Sequence, residues 1–183
     1  KEHNLNADVV ITNDIETINN STHIVLPGQG AFKSCIEGLK SINGMIDSLE
    51  NNVLNKKKPF LGICVGMQML ANESEEKGLH QGLGWIEGKI KKLPDTNLKM
   101  PHMGWNIVKP ITNNNNLIKK PEDYYFVHSY YFECTQRENI LAETQYGINF
   151  SSIVAKENIY GVQIKTEKSS SQGLNLIKKF MSK

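Results

Sequence analysis

"KPFLGICVGMQML", residues 58–70, opens as an apolar run of strand length and continues at helical spacing through Met67, Gln68, Met69 and Leu70. Where the two halves meet stands Cys64, framed by Gly62 and Gly66. G-x-C-x-G between a strand and a helix is the cysteine form of a nucleophile elbow. The glycines permit a turn tight enough to hold the side chain exposed at the strand's C-terminal end. An arbitrary cysteine in such a place is ordinarily a small core residue; the glycine frame argues for a nucleophile instead. The following helix start is expected to lower the thiol pKa and to offer backbone N–H donors to a developing oxyanion.

Outward from this elbow, apolar runs alternate with helical periods, the pattern of an α/β domain with a largely parallel sheet. "ADVVIT" (7–12) and "HIVLP" (23–27) read as the first two strands. Phe32, Cys35, Ile36 and Leu39 recur at helical spacing, as do Met45, Ile46, Leu49, Val53 and Leu54, with Gly44 joining the two helices. From residue 84 the character turns to strand and turn, in "GWIEGKIKKL", "YYFVHSYYF", "LAETQYG" and "SSIVAKENIYGVQI". "GLNLIKKFM" closes the chain as a helix, with Ser169–Ser171 available to cap it. Asn113–Asn116 reads as a solvated loop.

The 183 residues make one domain, long enough to bury about 70% of the surface of the unfolded chain. A net charge of +2, with lysines spread among acids, leaves no footprint for nucleic acid or an anionic membrane. No apolar run approaches a membrane span, and the start has no signal-peptide pattern, so a cytoplasmic location is expected. Cys35, Cys64 and Cys134 lie far apart without CxxC pairing, which suggests neither a disulfide framework nor a zinc site. One arginine, Arg137, among 21 basic residues is a compositional bias rather than chemistry.

A second loop, "LPGQGAF" (26–32), ends a strand and starts a helix with two glycines. Alone such a turn is weak evidence; beside an elbow it looks like the other half of an oxyanion hole. Together "LPGQGAF", "GICVGMQ", "PHMGWN" (101–106), "YFVHSYYF" (125–132) and "GVQ…EKS" (161–169) stand in the order seen in class I glutamine amidotransferases. "PHMGWN" with "YFVHSYY" most resembles the branch that serves imidazole glycerol phosphate synthesis in histidine biosynthesis. The same pair argues against another elbow-cysteine hydrolase on a similar sheet.

The resemblance implies a flavodoxin-like, mostly parallel sheet flanked by helices, with an added antiparallel portion in the C-terminal half. It covers residues 1–183 as a single glutaminase domain, without the family's first strand and helix. It implies that Cys64 attacks glutamine's side-chain amide through a thioester. Gly28 and Gly30 would lie on the oxyanion loop, and Gln68, His128, Ser129 and Tyr130 would hold substrate. Ammonia would pass to a (β/α)₈ cyclase subunit in a heterodimer, with no metal or organic cofactor. On their own, His102 and His128 read equally as ordinary loop or strand histidines, Trp105 as a packing residue first, and Cys35 as core.

One position departs from the family's pattern. After "GVQ" the family reads Phe-His-Pro-Glu, whereas this chain reads Ile164-Lys165-Thr166-Glu167. Glu167 keeps the orienting carboxylate, but Lys165 replaces the histidine that shuttles protons. A free imidazole titrates near 6.5 and a free lysine near 10.4, so an ammonium cannot take the thiol proton at neutral pH. A cationic side chain there would still favour the Cys64 thiolate. Three explanations stay open: a divergent lysine mechanism, a catalytically impaired partner of the cyclase, or an alteration of the sequence at 164–166.

Overall fold

The computed structural model describes residues 7–112 and 117–183; the expected asparagine loop at 113–116 lies outside them. The first element among the described residues is helix α1 (Ile15–Asn20), which sequence reading missed although Asp14 marks its start. The Asp14 carboxylate accepts from Thr17 N at 2.8 Å, an N-cap. Strand β1 (Ile24–Gly28), helix α2 (Phe32–Ser41) and helix α3 (Met45–Glu50) follow, α3 starting at Gly44 and running into a single π turn, Asn51–Asn55. Then come β2 (Phe60–Cys64) and the four-residue α4 (Val65–Gln68). The short strands β3 (Glu73–Ser74) and β4 (His80–Gln81) form a hairpin.

The remaining strands are β5 (Gly88–Lys92), β6 (His102–Pro110), β7 (Glu122–His128), β8 (Tyr130–Cys134), β9 (Ile140–Tyr146), β10 (Ile148–Lys156) and β11 (Ile159–Val162). Helix α5 (Ser170–Met181) ends the chain. The parallel core is β1–β2–β11, with Leu26 and Gly161 on either side of Gly62. Strand β10 joins β11 antiparallel, and β8, β5, β9, β6 and β7 extend the antiparallel portion from there.

Neighbouring side chains of β2 point to opposite faces and so enter different cores. Phe60 packs with Phe32, Ile36, Leu49, Met67 and Trp85 on one side. Leu61 packs with Phe126, Phe150, Val162, Leu176 and Phe180 on the other. β2 therefore runs through the centre of the molecule, and its C-terminal end has only one direction in which to open.

Two expectations need correction. Residues 7–12 form no strand, and Val9, Val10 and Ile11 are exposed. β1 is the end of the strand order, so among the described residues no ladder reaches 7–12, and an extended segment without a partner is not a strand. Ser169 occupies the N-cap of α5 but its side chain does not cap. Its Oγ donates to the Lys165 carbonyl at 2.6 Å and accepts from Tyr125 N at 3.0 Å, tying the 165 turn to β7.

The elbow glycines are required by close approach. A Cβ on Gly66 would lie 1.9 Å from the Leu26 carbonyl oxygen, and one on Gly62 would lie 2.5 Å from the Gly66 oxygen. Both obstacles are backbone: the Leu26 oxygen belongs to the β1–β2 ladder and the Gly66 oxygen to the first turn of α4. Gly66→Ala is expected to lower stability by about 3 kcal/mol, at the upper end of ordinary overpacking. A urea midpoint indistinguishable from the parent's would show that α4 can move off β1.

Candidate active site

Three parallel strands deliver their C-terminal ends to one place, the usual position for a site on an open α/β sheet. Gly28 at the end of β1 is in register with Cys64 at the end of β2, and β11 leads through Gln163 and Ile164 to Lys165. They meet at a cleft of about 540 Å³ lined by Cys64, Gly30, Gln68, His128, Ser129, Tyr130 and Lys165. Seven of the residues expected from sequence are thus brought together. A smaller hollow of about 250 Å³, near Lys156 and Glu157, is lined by no cysteine, serine or threonine.

Gly28 and Glu167 stand behind that lining. Gly28 packs against Gly66, where a Cβ would meet its nitrogen at 2.6 Å, so it sets how closely β1 approaches the elbow. Glu167 is half exposed and its Oε1 is 4.0 Å from Lys165 Nζ, an ion pair too open to hold the lysine strongly. Sequence reading missed Gln29, Val65, Glu76, Lys77, Pro101 and Val127, which complete the lining. Glu76 and Lys77 arrive on the β3–β4 turn, and Glu76 Oε2 accepts from Phe32 N at 2.7 Å, anchoring the start of α2 below the Gly30 loop. A carboxylate at the cleft wall suits the α-ammonium of an amino acid.

Cys64 has φ 56 and ψ −113, a conformation that L residues rarely adopt and that costs on the order of 1–3 kcal/mol. The strand and helix on either side hold it there. Its thiol is buried, and burial pushes its pKa above the ordinary 9.0; the Lys165 charge and the Val65 N–H oppose that rise, while Glu167 and Cys35 add to it. This corrects the expected lowering: α4 has only four residues, and desolvation outweighs what its first turn and Lys165 supply. At neutral pH Cys64 therefore stays a thiol, and a nucleophilic role would need a group to remove its proton.

His128 is committed to the scaffold. Its Nδ1 pairs with the Tyr130 carbonyl at 2.8 Å and its Nε2 with His102 Nδ1 at 2.9 Å. Burial lowers His128 to about 3 and His102 to about 4, so both rings are neutral at physiological pH. His102 opens strand β6, the strand alternative of the two read from sequence, and is buried between Phe126 and Tyr146, stacked at 4.7 and 3.9 Å. Gln68 Nε2 donates to the Tyr130 carbonyl at 3.1 Å and to Gln163 Oε1 at 3.0 Å. Its Oε1 remains as an acceptor at the cleft.

Chemically the cleft combines a thiol on a strained backbone, a glycine-bearing loop beside it, the Glu76 carboxylate and two lysines, Lys77 and Lys165. That set suits nucleophilic attack on an acyl or amide carbon of a small zwitterion.

Comparison with known proteins agrees with this chemistry. Residues 2–183 match the family described as Glutamine amidotransferase class-I. "Imidazole glycerol phosphate synthase subunit HisH" of Zymomonas mobilis is 45% identical over 95% of this chain and 82% of the relative. The protein named HisH 2 in Methanococcus maripaludis is 47% identical over 95% and 87%. In fold, a glutamine amidotransferase crystal structure superposes with a TM-score of 0.68 at 14% identity, covering 93% of this chain and 83% of that one. The glutaminase domain of Trypanosoma brucei CTPS follows at 0.61 and 16%, covering 92% and 74%. With its motifs in order, its elbow at the parallel strand ends and its relatives matched nearly end to end, the chain belongs to the class I glutamine amidotransferase family.

Proposed function

We propose that this chain is the glutamine-hydrolysing subunit of an imidazole glycerol phosphate synthase, acting in the cytoplasm and delivering ammonia to a (β/α)₈ cyclase partner in histidine biosynthesis. The observation that carries the reading is the meeting of Cys64, Gly30, Gln68 and Lys165 where β1, β2 and β11 end. The names of the relatives, at 45% and 47% identity, point the same way.

In this reading the Cys64 sulfur attacks the amide carbon of glutamine, and a C–S bond forms as the carbonyl oxygen becomes an oxyanion beside the Gly30 loop and the Val65 N–H. The C–N bond then breaks, ammonia leaves with a proton, and a thioester remains. Water attacks that carbon, glutamate departs and the thiol is restored. Glu76 and Lys77 at the rim suit the ammonium and carboxylate of the substrate's backbone end, and Ser129 and Tyr130 form the wall beside them. The weak link is the proton: Lys165, in the position the family gives to histidine, stabilises a thiolate but does not generate one.

Strand β6 supports a partner next to the cleft. Its outward residues Met103, Trp105 and Ile107 are 60%, 52% and 44% exposed. Trp105, read from sequence as a packing residue first, meets Tyr125 edge-on at 5.9 Å and leaves half its surface outside. An alternating apolar stripe of this kind is a docking face rather than ordinary surface, and Pro101 at its start lines the cleft. A second reading, a binding subunit of the cyclase with impaired hydrolysis, is favoured by Lys165 alone.

The test mixes this chain with a (β/α)₈ cyclase and its ribulosyl nucleotide, and measures co-elution together with glutamate release. A stable complex with measurable release supports the first reading, and a complex without release supports the second. Absence of a complex sinks both.

A further inference from the structure

Gln163 lies one residue beyond β11 and is fully buried. Its backbone N–H donates to the Ser152 carbonyl at 2.9 Å, which fixes where the side chain starts. Its amide lies between two partners, with Oε1 3.0 Å from Gln68 Nε2 and Nε2 3.8 Å from Cys64 Sγ.

The orientation of that amide follows from a chain of donors. The Tyr130 carbonyl can only accept, so His128 carries its proton on Nδ1 and presents Nε2 as an acceptor. His102 must then donate from Nδ1, and its Nε2 accepts from Asn106 Nδ2 at 3.1 Å. The same Tyr130 carbonyl accepts from Gln68, which turns the Gln68 NH₂ inward toward Gln163. Gln163 therefore shows its oxygen to Gln68 and its NH₂ to the sulfur. Flipping Gln68 would set its oxygen against the Tyr130 carbonyl, and flipping Gln163 would set its NH₂ against the Gln68 NH₂.

We propose that Gln163 is a positioning residue for the hydrolytic step, its amide N–H holding the Cys64 sulfur toward the cleft and stabilising the thiolate that attacks. The reaction it serves rests on the reading given above; the hydrogen bond does not. A donor to an ionised sulfur is roughly twice as strong as one to a neutral group, so the contact tightens as the proton leaves. It approaches from the buried side, where solvent cannot replace it.

Site-resolved alkylation by iodoacetamide, read by mass spectrometry across the thiol titration range, tests this. In Gln163→Met, which keeps volume and removes the donor, the Cys64 profile is expected to rise by about one pH unit. That corresponds to about tenfold slower modification at neutral pH, with Cys35 and Cys134 unchanged. An unmoved Cys64 profile in the folded variant overturns the proposal. On the unaltered chain, the Gln163 side-chain amide resonance is expected to shift with the same midpoint as Cys64 alkylation, and to lose that titration in Cys64→Ala. A resonance that ignores Cys64 overturns the proposal even where the variant does not fold. Neither measurement uses glutamine or cyclase, so failure of the amidotransferase reading would appear in glutamate release and not here.

Discussion

Lys165→His is expected to raise glutamate release by about 10² to 10⁴, the usual contribution of a positioned general acid–base group. The backbone at 165 is ready for the exchange. Its N–H donates to the Tyr125 carbonyl at 2.8 Å, its carbonyl accepts from Ser169 Oγ, and its φ of −88 suits any L residue. Its side chain is 12% exposed at the cleft, so an imidazole there replaces the cation without rebuilding the turn. Because burial holds the Cys64 thiol above 9.0, hydrolysis by the natural chain should climb about tenfold per pH unit through the neutral range, following the thiolate alone. The histidine variant should instead level off near the imidazole range, where the base is already free. Equal rates for the two chains at neutral pH, measured with the cyclase present, would mean that lysine performs the proton transfer after all.

Cys64→Ala in the Lys165→His background is expected to abolish glutamate release altogether, since no other described thiol or hydroxyl stands at an elbow in the cleft. Persistence of turnover would remove Cys64 from the mechanism. The same position carries a stability prediction with an unusual sign. At an ordinary site glycine is about 0.5–1 kcal/mol less stable than alanine, because it loses more freedom on folding. At φ 56 and ψ −113 alanine keeps the strain that glycine escapes, so Cys64→Gly should unfold at higher denaturant than Cys64→Ala. The reverse order would show that the elbow is relaxed and that the cysteine is held by packing alone.

Much of the site was legible before the fold because it is written in short spacings. G-x-C-x-G marks the elbow within five residues, "PGQG" marks the loop beside it, and Glu167 with its missing histidine is visible two positions apart. Strand and helix periods placed β1, β2 and α2 to within a residue or two, and α5 without its first three residues, for the same reason: apolar alternation and helical recurrence are local properties. The reading failed where locality failed. Residues 7–12 have the composition of a strand, but a strand exists only if a neighbour takes its hydrogen bonds, and β1 ends the order. Glu76 and Lys77 carry no motif, and a two-strand hairpin brings them to the cleft.

The chain's order of residues thus established the family, pointed to Cys64 as the candidate nucleophile and showed a lysine at 165 where the family's pattern has histidine, all of which depend on residue identity and near neighbours. Its three-dimensional packing decided the direction in which burial shifts the Cys64 thiol and built the network behind it. Gln68, Tyr130, Gln163 and Cys64 are joined by contacts spanning 62, 95 and 99 residues of chain. Burial raises the thiol although a helix start and a lysine stand beside it, and neutralises two histidines that look titratable in one dimension. Desolvation and hydrogen-bond direction are set by everything surrounding a group at once, which no short stretch such as "GICVG" contains.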